Sequence, residues 1–271
     1  MNITKSFEFK LPTRILFGVN LVDSLGEEVK ALEIQRVLLV TDKGVVNTGL
    51  LERVIRTLDA SAIAHTIFDS VEANPTTTTV LNGAEIFRRD KCDGLLAVVD
   101  PSLTVSLPPD VTAATGMDAL THVIEAYVST KSTPIADSLA LTSIQLISSN
   151  LREAVGNGEN MAARAAMLLA STQAGMAFIN TSVALVHAVA HALGGFFDIA
   201  HGVANAIMLP LVMRLSLIGN PGKYADIAAA MGESVEGLSA MEAVFAVESL
   251  AADIGIPHDF ETIGCRSRPN Q

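Results

Sequence analysis

The feature that most constrains this chain is a change of periodicity at Pro108-Pro109. Before it, short apolar runs alternate with amphipathic stretches. After it, from Asp110 to about Ala251, strand signals are almost absent. Arg36-Val37-Leu38-Leu39-Val40-Thr41 and Asp93-Gly94-Leu95-Leu96-Ala97-Val98-Val99 are apolar enough to be strands buried on both faces, and Ile63 to Phe68 is a third candidate. Arg14 to Gly18 reads as a further short strand. Helical spacing fills Leu21 to Ala31 and Leu50 to Leu58, and Asn74-Pro75-Thr76 opens a helix running to about Arg89. Strand and helix in alternation predict a parallel, doubly wound α/β domain over residues 1–107. Helices predicted at 110–129, 134–154, 160–178, 180–193, 203–218, 222–231 and 239–253 make residues 108–271 an all-α domain. Thr133-Pro134 supplies a start signal there and Gly194-Gly195 a stop signal.

Composition narrows the function. The chain is 49% hydrophobic but only 4% aromatic, with no Trp, so its core is built from Ala, Leu, Ile, Val and Met. A net charge of −11 disfavours nucleic acid and anionic membranes as partners. Two cysteines, Cys92 and Cys265, are too few for a disulfide framework or a cysteine-rich zinc site. Charged residues among the first ten positions do not suit a signal peptide, and no uncharged apolar run approaches a membrane-spanning length. The expectation is a cytoplasmic protein.

The candidate chemistry lies in the helical half. Asp118 and His122 are four residues apart, as are His187 and His191, and His201 follows. On a helix that spacing puts each pair on one face, one turn apart. A carboxylate and several imidazoles in such apolar sequence are costly to bury unless paired or bound to metal. Asp with His suits Fe(II), Zn or Mn, and no sulfur ligand is offered. The plainer alternative is that each His is a core residue bonded to a backbone carbonyl, or half of a surface pair.

These segments resemble the iron-containing, group III alcohol dehydrogenase family. The resemblance rests on Thr112-Ala113-Ala114-Thr115-Gly116-Met117-Asp118-Ala119-Leu120-Thr121-His122, on His187 to Gly195, and on His201-Gly202-Val203-Ala204-Asn205, with Phe17-Gly18, Val40 to Gly44 and Asn74-Pro75-Thr76 in the first half. It implies a dehydroquinate synthase-like architecture and a homo-oligomer. It also implies a divalent metal, Fe(II) or alternatively Zn, held by Asp118, His122, His187 and His201. His191 matches a non-ligand histidine near the cofactor, proposed to relay protons. In the implied reaction the metal polarises the oxygen of a small primary alcohol or diol, and hydride passes to the nicotinamide of NAD(P), giving the aldehyde. Asp42, Asn74 and Thr104 match cofactor-contacting positions. Asp42 follows a buried strand, where its carboxylate would favour NAD over NADP; Asp42-Lys43-Gly44 reads equally well as a turn.

The sequence departs from the family in two places. The Gly-Gly-Gly-Ser phosphate loop expected after Leu95-Leu96-Ala97-Val98 is missing, and Val99-Asp100-Pro101-Ser102-Leu103-Thr104 follows directly. The α/β domain is therefore shortened, with apolar surface expected to be uncovered near Val98–Val99 or beside Leu250. Resemblance also fades after Gly264, where the family's closing helices would stand. Three readings follow: a metal-dependent dehydrogenase, a truncated member that binds metal without dehydrogenase activity, or a helical interaction or scaffold protein with structural histidines.

Overall fold

The computed structural model of the chain describes residues 6–11, 13–72, 75–95, 98–234 and 239–262. It divides into two compact units, Ile15–Ser106 and Met1–Arg14 with Leu107–Gln271. Residues 6–11 thus go with the helical unit rather than with the α/β unit. Phe9 packs against Ala126, Ala136 and Ala177, and the backbone N–H of Lys10 donates to Asn180 Oδ1 at 2.8 Å.

The α/β unit opens with a short 3-10 turn, Leu21–Ser24, and helix α1, Leu25–Ala31. Strand β1, Arg36–Val40, follows, then α2, Lys43–Asn47, and α3, Leu50–Ala60. Strand β2 is Ala64–Phe68, α4 is Thr77–Arg89, and β3 is Gly94–Leu95. The sheet is parallel in the order β2-β1-β3, with Leu38 opposite both Thr66 and Leu95. Successive residues of β1 point to opposite faces. Val37 joins Leu25, Val29, Leu58 and Ile63 on one side, while Leu38 joins Phe68 and Cys92 on the other. That two-sided burial explains why β1 has no polar alternation.

Several local expectations are corrected. Arg14 to Gly18 forms no strand. Of the run Asp93–Val99, only Gly94–Leu95 are strand among the described residues, and Leu96 and Ala97 lie outside them. Near that junction Val40, Val80 and Leu95 are 50%, 65% and 67% exposed. They line an apolar cavity of about 640 Å³ with Leu38, Phe68 and Phe87. On the last described helix Leu250 itself is fully buried, while Phe245 is 48% exposed.

The helical unit comprises α5, Pro109–Val128; α6, Pro134–Gly156; α7, Met161–Thr181; α8, Leu185–Phe197; α9, His201–Ser216; α10, Pro221–Ala230; and α11, Ala240–Asp253. Thr133 Oγ1 accepts from Ala136 N to start α6, and Asn160 Oδ1 accepts from Ala162 N and Ala163 N to start α7. Helix α5 is the centre. Its Met117, Leu120 and Ile124 pack with Ile144, Leu151, Leu209 and Met213 in the main core. Gly202 lets α9 lie against α5, since a Cβ there would sit 2.4 Å from the Ala114 carbonyl oxygen. Helix α8 runs through Gly194-Gly195 and ends at Asp198, whose φ of 56° is left-handed. The expected stop at the glycine pair is therefore displaced by one turn. With the turn that follows it, α9 is long and apolar enough to cross a membrane, at mean hydropathy 1.6. Its apolarity serves the core, where Ala204, Ala206, Ile207 and Leu209 are buried.

Candidate metal centre

Three helices bring the predicted residues together. Asp118 and His122 project from α5, His187 and His191 from α8, and His201 from the first turn of α9. One donor atom each from Asp118, His187 and His201 lies within 4.8 Å of the others. Asp118 Oδ1 stands 3.7 Å from His187 Nε2 and 3.6 Å from His201 Nε2. His122 lies beside this trio but outside it, with its ring 4.1 Å from that of His187. Its Nδ1 is 2.9 Å from the backbone oxygen of Asp118. A carbonyl can only accept, so Nδ1 carries the proton and Nε2 the lone pair.

His191 is exposed, with its ring 5.0 Å from His201 and 6.3 Å from His187. The cofactor candidates stand in the other unit. Asp42 caps α2 through Oδ1, which accepts from Val45 N at 2.9 Å; the turn foreseen there is a helix start. Thr104 Oγ1 donates to the Pro101 carbonyl at 2.8 Å. Asn74 lies outside the described residues.

Two residues at the centre escaped the sequence reading. Glu125 is 3% exposed and bonds His187 Nδ1 at 2.7 Å. Asn205 Nδ2 lies 2.5 Å from Asp118 Oδ1 and 3.0 Å from His201 Nε2. The available signal for Glu125 was its place three residues beyond His122 and seven beyond Asp118 on the same helix face.

The electrostatics follow from burial and close packing of charges. Burial opposes charge on Asp118, but His187, His122, Asn205 and His201 together hold its carboxyl below the usual range. His122 and His201 are pushed below the ordinary histidine value, chiefly by burial. His187 goes the other way: burial opposes its charge, yet Asp118 and Glu125 outweigh that and hold it at about 9.

A divalent cation fits this donor set. His187 Nε2 is buried, has no hydrogen-bond partner and faces the Asp118 carboxylate at 3.7 Å, too far for a hydrogen bond. Such an orphaned nitrogen is costly in a purely structural cluster. Oxygen from one carboxylate and nitrogen from imidazoles suit Fe(II) and Zn.

Fold and site together define a chain with a parallel α/β unit and a helical unit in which Asp118, His187 and His201 bring oxygen and nitrogen donors together. Comparison with known proteins assigns the lineage. Residues 12–98 match the family model described as iron-containing alcohol dehydrogenase, and residues 112–269 match the C-terminal part of the Fe-containing alcohol dehydrogenase family. The chain is similar to 1,3-propanediol dehydrogenase of Citrobacter freundii, at 35% identity over 97% of this chain and 90% of that protein. It is 29% identical to NAD-dependent methanol dehydrogenase of Bacillus methanolicus, over 95% and 90%. A crystal structure of 1,3-propanediol oxidoreductase superposes at a TM-score of 0.90 and 35% identity, covering 97% and 90%. The chain belongs to the iron-containing alcohol dehydrogenase family. Its class of chemistry is the interconversion of alcohols and aldehydes. The first of these alignments runs over 347 positions against a chain of 271 residues, so a stretch of the relative has no counterpart here.

Proposed function

We propose that the chain binds one divalent cation, Fe(II) or in its place Zn, through Asp118, His122, His187 and His201. It would act on a small primary alcohol or diol and the corresponding aldehyde, with NAD as hydride partner and NADP disfavoured. One observation carries this reading: the buried, unpartnered Nε2 of His187 faces Asp118 Oδ1 at 3.7 Å. A cation held there supplies Lewis acidity toward the substrate oxygen. Asp118 contributes the negative charge of the donor set, and Asn205 Nδ2 holds that carboxylate in place. His191, exposed beside His201, is assigned to proton exchange between substrate and solvent. The exposed Leu211, Leu215 and Ile218 support a homo-oligomer. The net charge of −11 supports a protein without nucleic-acid or anionic-membrane partners, and the cytoplasm is its proposed compartment.

The segment after β3 offers the phosphates of the nucleotide neither a glycine loop nor a cation. No glycine lies between Gly94 and Gly116, and no Lys or Arg between Lys91 and Lys131. Asp100, beside the expected loop position, accepts from the backbone N–H groups of Asn20, Val22 and Ser102. Its 1% exposure means that it is an internal tie and not a surface charge that repels phosphate. A second reading therefore has its own support: a family member that holds metal but lacks dehydrogenase turnover. Bound metal, NAD(H) affinity and alcohol oxidation measured on one sample separate the two. Stoichiometric metal with turnover supports the first reading, metal alone the second, and neither overturns the site.

A further inference from the structure

Helix α8 has no N-terminal cap of its own, because the residue before it is Ala184. Glu125, on α5, supplies one from across the core. Its Oε2 accepts from Ala184 N at 2.8 Å and its Oε1 from Val186 N at 2.7 Å. The same Oε2 lies 2.7 Å from His187 Nδ1. One carboxylate thus meets three donors in the first turn of α8. An anion at a helix N-terminus is also favoured by the helix dipole. Burial opposes the charge of Glu125, but these donors hold its carboxyl below the usual glutamate range.

The geometry has a chemical consequence for His187. A carboxylate only accepts, so Nδ1 of His187 must carry a proton. In the neutral ring Nε2 then bears the lone pair, and Nε2 is the buried atom that faces Asp118. We propose that Glu125 is a positioning residue for the metal centre. It selects the His187 tautomer that can bind a cation, and it fixes the rotation of α8 against α5 at the ligand itself. This rests on the reading that Asp118, His122, His187 and His201 share a cation. Carboxylate–histidine pairs of this kind tune metal affinity from outside the ligand set, typically by roughly 10–100-fold.

The variant reads the metal affinity and the NMR experiment reads the tautomer. In Glu125→Gln the side chain keeps its length and one acceptor oxygen. It cannot serve Ala184, Val186 and His187 together: its NH2 group faces either Val186 N alone, or Ala184 N and His187 Nδ1 together. The full-length chain is titrated with Co(II), following the visible d–d bands, alongside far-UV circular dichroism. Asp118→Asn serves as the control for the cation site. The expected result for Glu125→Gln is wild-type helicity, Co(II) affinity lower by roughly 10–100-fold and shifted bands. Co(II) affinity within twofold of wild type overturns the proposal. If the wild type binds no Co(II), or Asp118→Asn binds as well as wild type, the cation reading fails and the proposal falls with it. Should Glu125→Gln not fold, the wild type still decides. Long-range 15N NMR of the histidine-labelled, metal-free chain at pH 10 is expected to show His187 with its proton on Nδ1, and a proton on Nε2 overturns the assignment.

Discussion

His187 Nε2 and Asp118 Oδ1 stand 3.7 Å apart, and the nitrogen is buried without a hydrogen-bond partner. A protonated Nε2 would place its hydrogen toward Asp118, so without metal the two form a loose ion pair. In the proposed metal-bound state the same two atoms would be ligands. Proton and cation therefore compete for one nitrogen.

That competition sets a pH dependence. His187 is held at about 9, above its ordinary 6.5. A raised folded value contributes stability that is fully present below 6.5 and lost as pH rises through about 9. The metal-free chain is therefore expected to lose thermal stability between those limits. Cation affinity is expected to rise over the same range, by about tenfold per pH unit for one displaced proton. Calorimetric scans with and without Zn, at pH 6, 7.5 and 9, test this; a flat affinity profile would contradict it.

Asp118→Asn removes the only carboxylate of the ligand trio while keeping its volume. The loss of metal affinity should exceed the roughly 10–100-fold typical of an outer partner. Elemental analysis of the purified variant checks this, and wild-type metal content would remove Asp118 from the site.

Gly202→Ala tests how the site is built. The new Cβ would meet the Ala114 carbonyl oxygen at 2.4 Å, which is backbone and cannot swing away. Helix α9 must shift from α5, carrying His201 with it. We expect a stability loss of about 1–3 kcal/mol, the usual scale for overpacking, together with weaker metal binding. A variant with unchanged Tm and unchanged metal affinity would show that the contact relaxes at no cost.

In the α/β unit Asp100 ties three backbone donors. Burial opposes its charge, but the N–H groups of Val22, Ser102 and Asn20 and the Ser102 side chain hold the carboxyl below the usual range. A depressed folded value contributes stability present above the unfolded pKa of about 3.9 and lost as pH falls through the folded one. Asp100→Ala leaves three donors unpaired and should cost about 3 kcal/mol. Denaturant unfolding at pH 7 reads this directly, and a change below about 0.5 kcal/mol would argue that water replaces the carboxylate.

Much of this was legible in the sequence because it is local. The i,i+4 spacing of Asp118 with His122, and of His187 with His191, is enough by itself to put each pair on a shared helix face. What could not be read was the pairing across helices. Glu125 caps a helix that starts 60 residues later, and nothing near Ala184 announces a missing cap. Gly194-Gly195 misled for a related reason. Glycine only permits a break, and Leu193 on the same turn packs against Ile199 and Ala204, which keeps the helix going to Phe197. Arg14 to Gly18 has strand-like composition, but a strand also needs a partner edge, and the described sheet ends at β2 and β3.

Dinucleotide affinity in such folds rests on backbone N–H groups that meet the pyrophosphate at a helix N-terminus. Here the segment after β3 reaches Pro101 without a glycine, and Asp100 consumes the nearby N–H groups of Asn20, Val22 and Ser102. Asp42, the residue expected at the ribose, already caps α2. Losing two charge-assisted hydrogen bonds at about 1.5–3 kcal/mol each weakens binding by about 10²- to 10⁴-fold. The full chain loaded with metal is therefore expected to bind NAD(H) only in the millimolar range and to oxidise primary alcohols at trace rates. Fluorescence titration with NADH and a coupled alcohol assay measure both. Micromolar NADH binding with sustained turnover would mean that phosphate is held elsewhere in the chain.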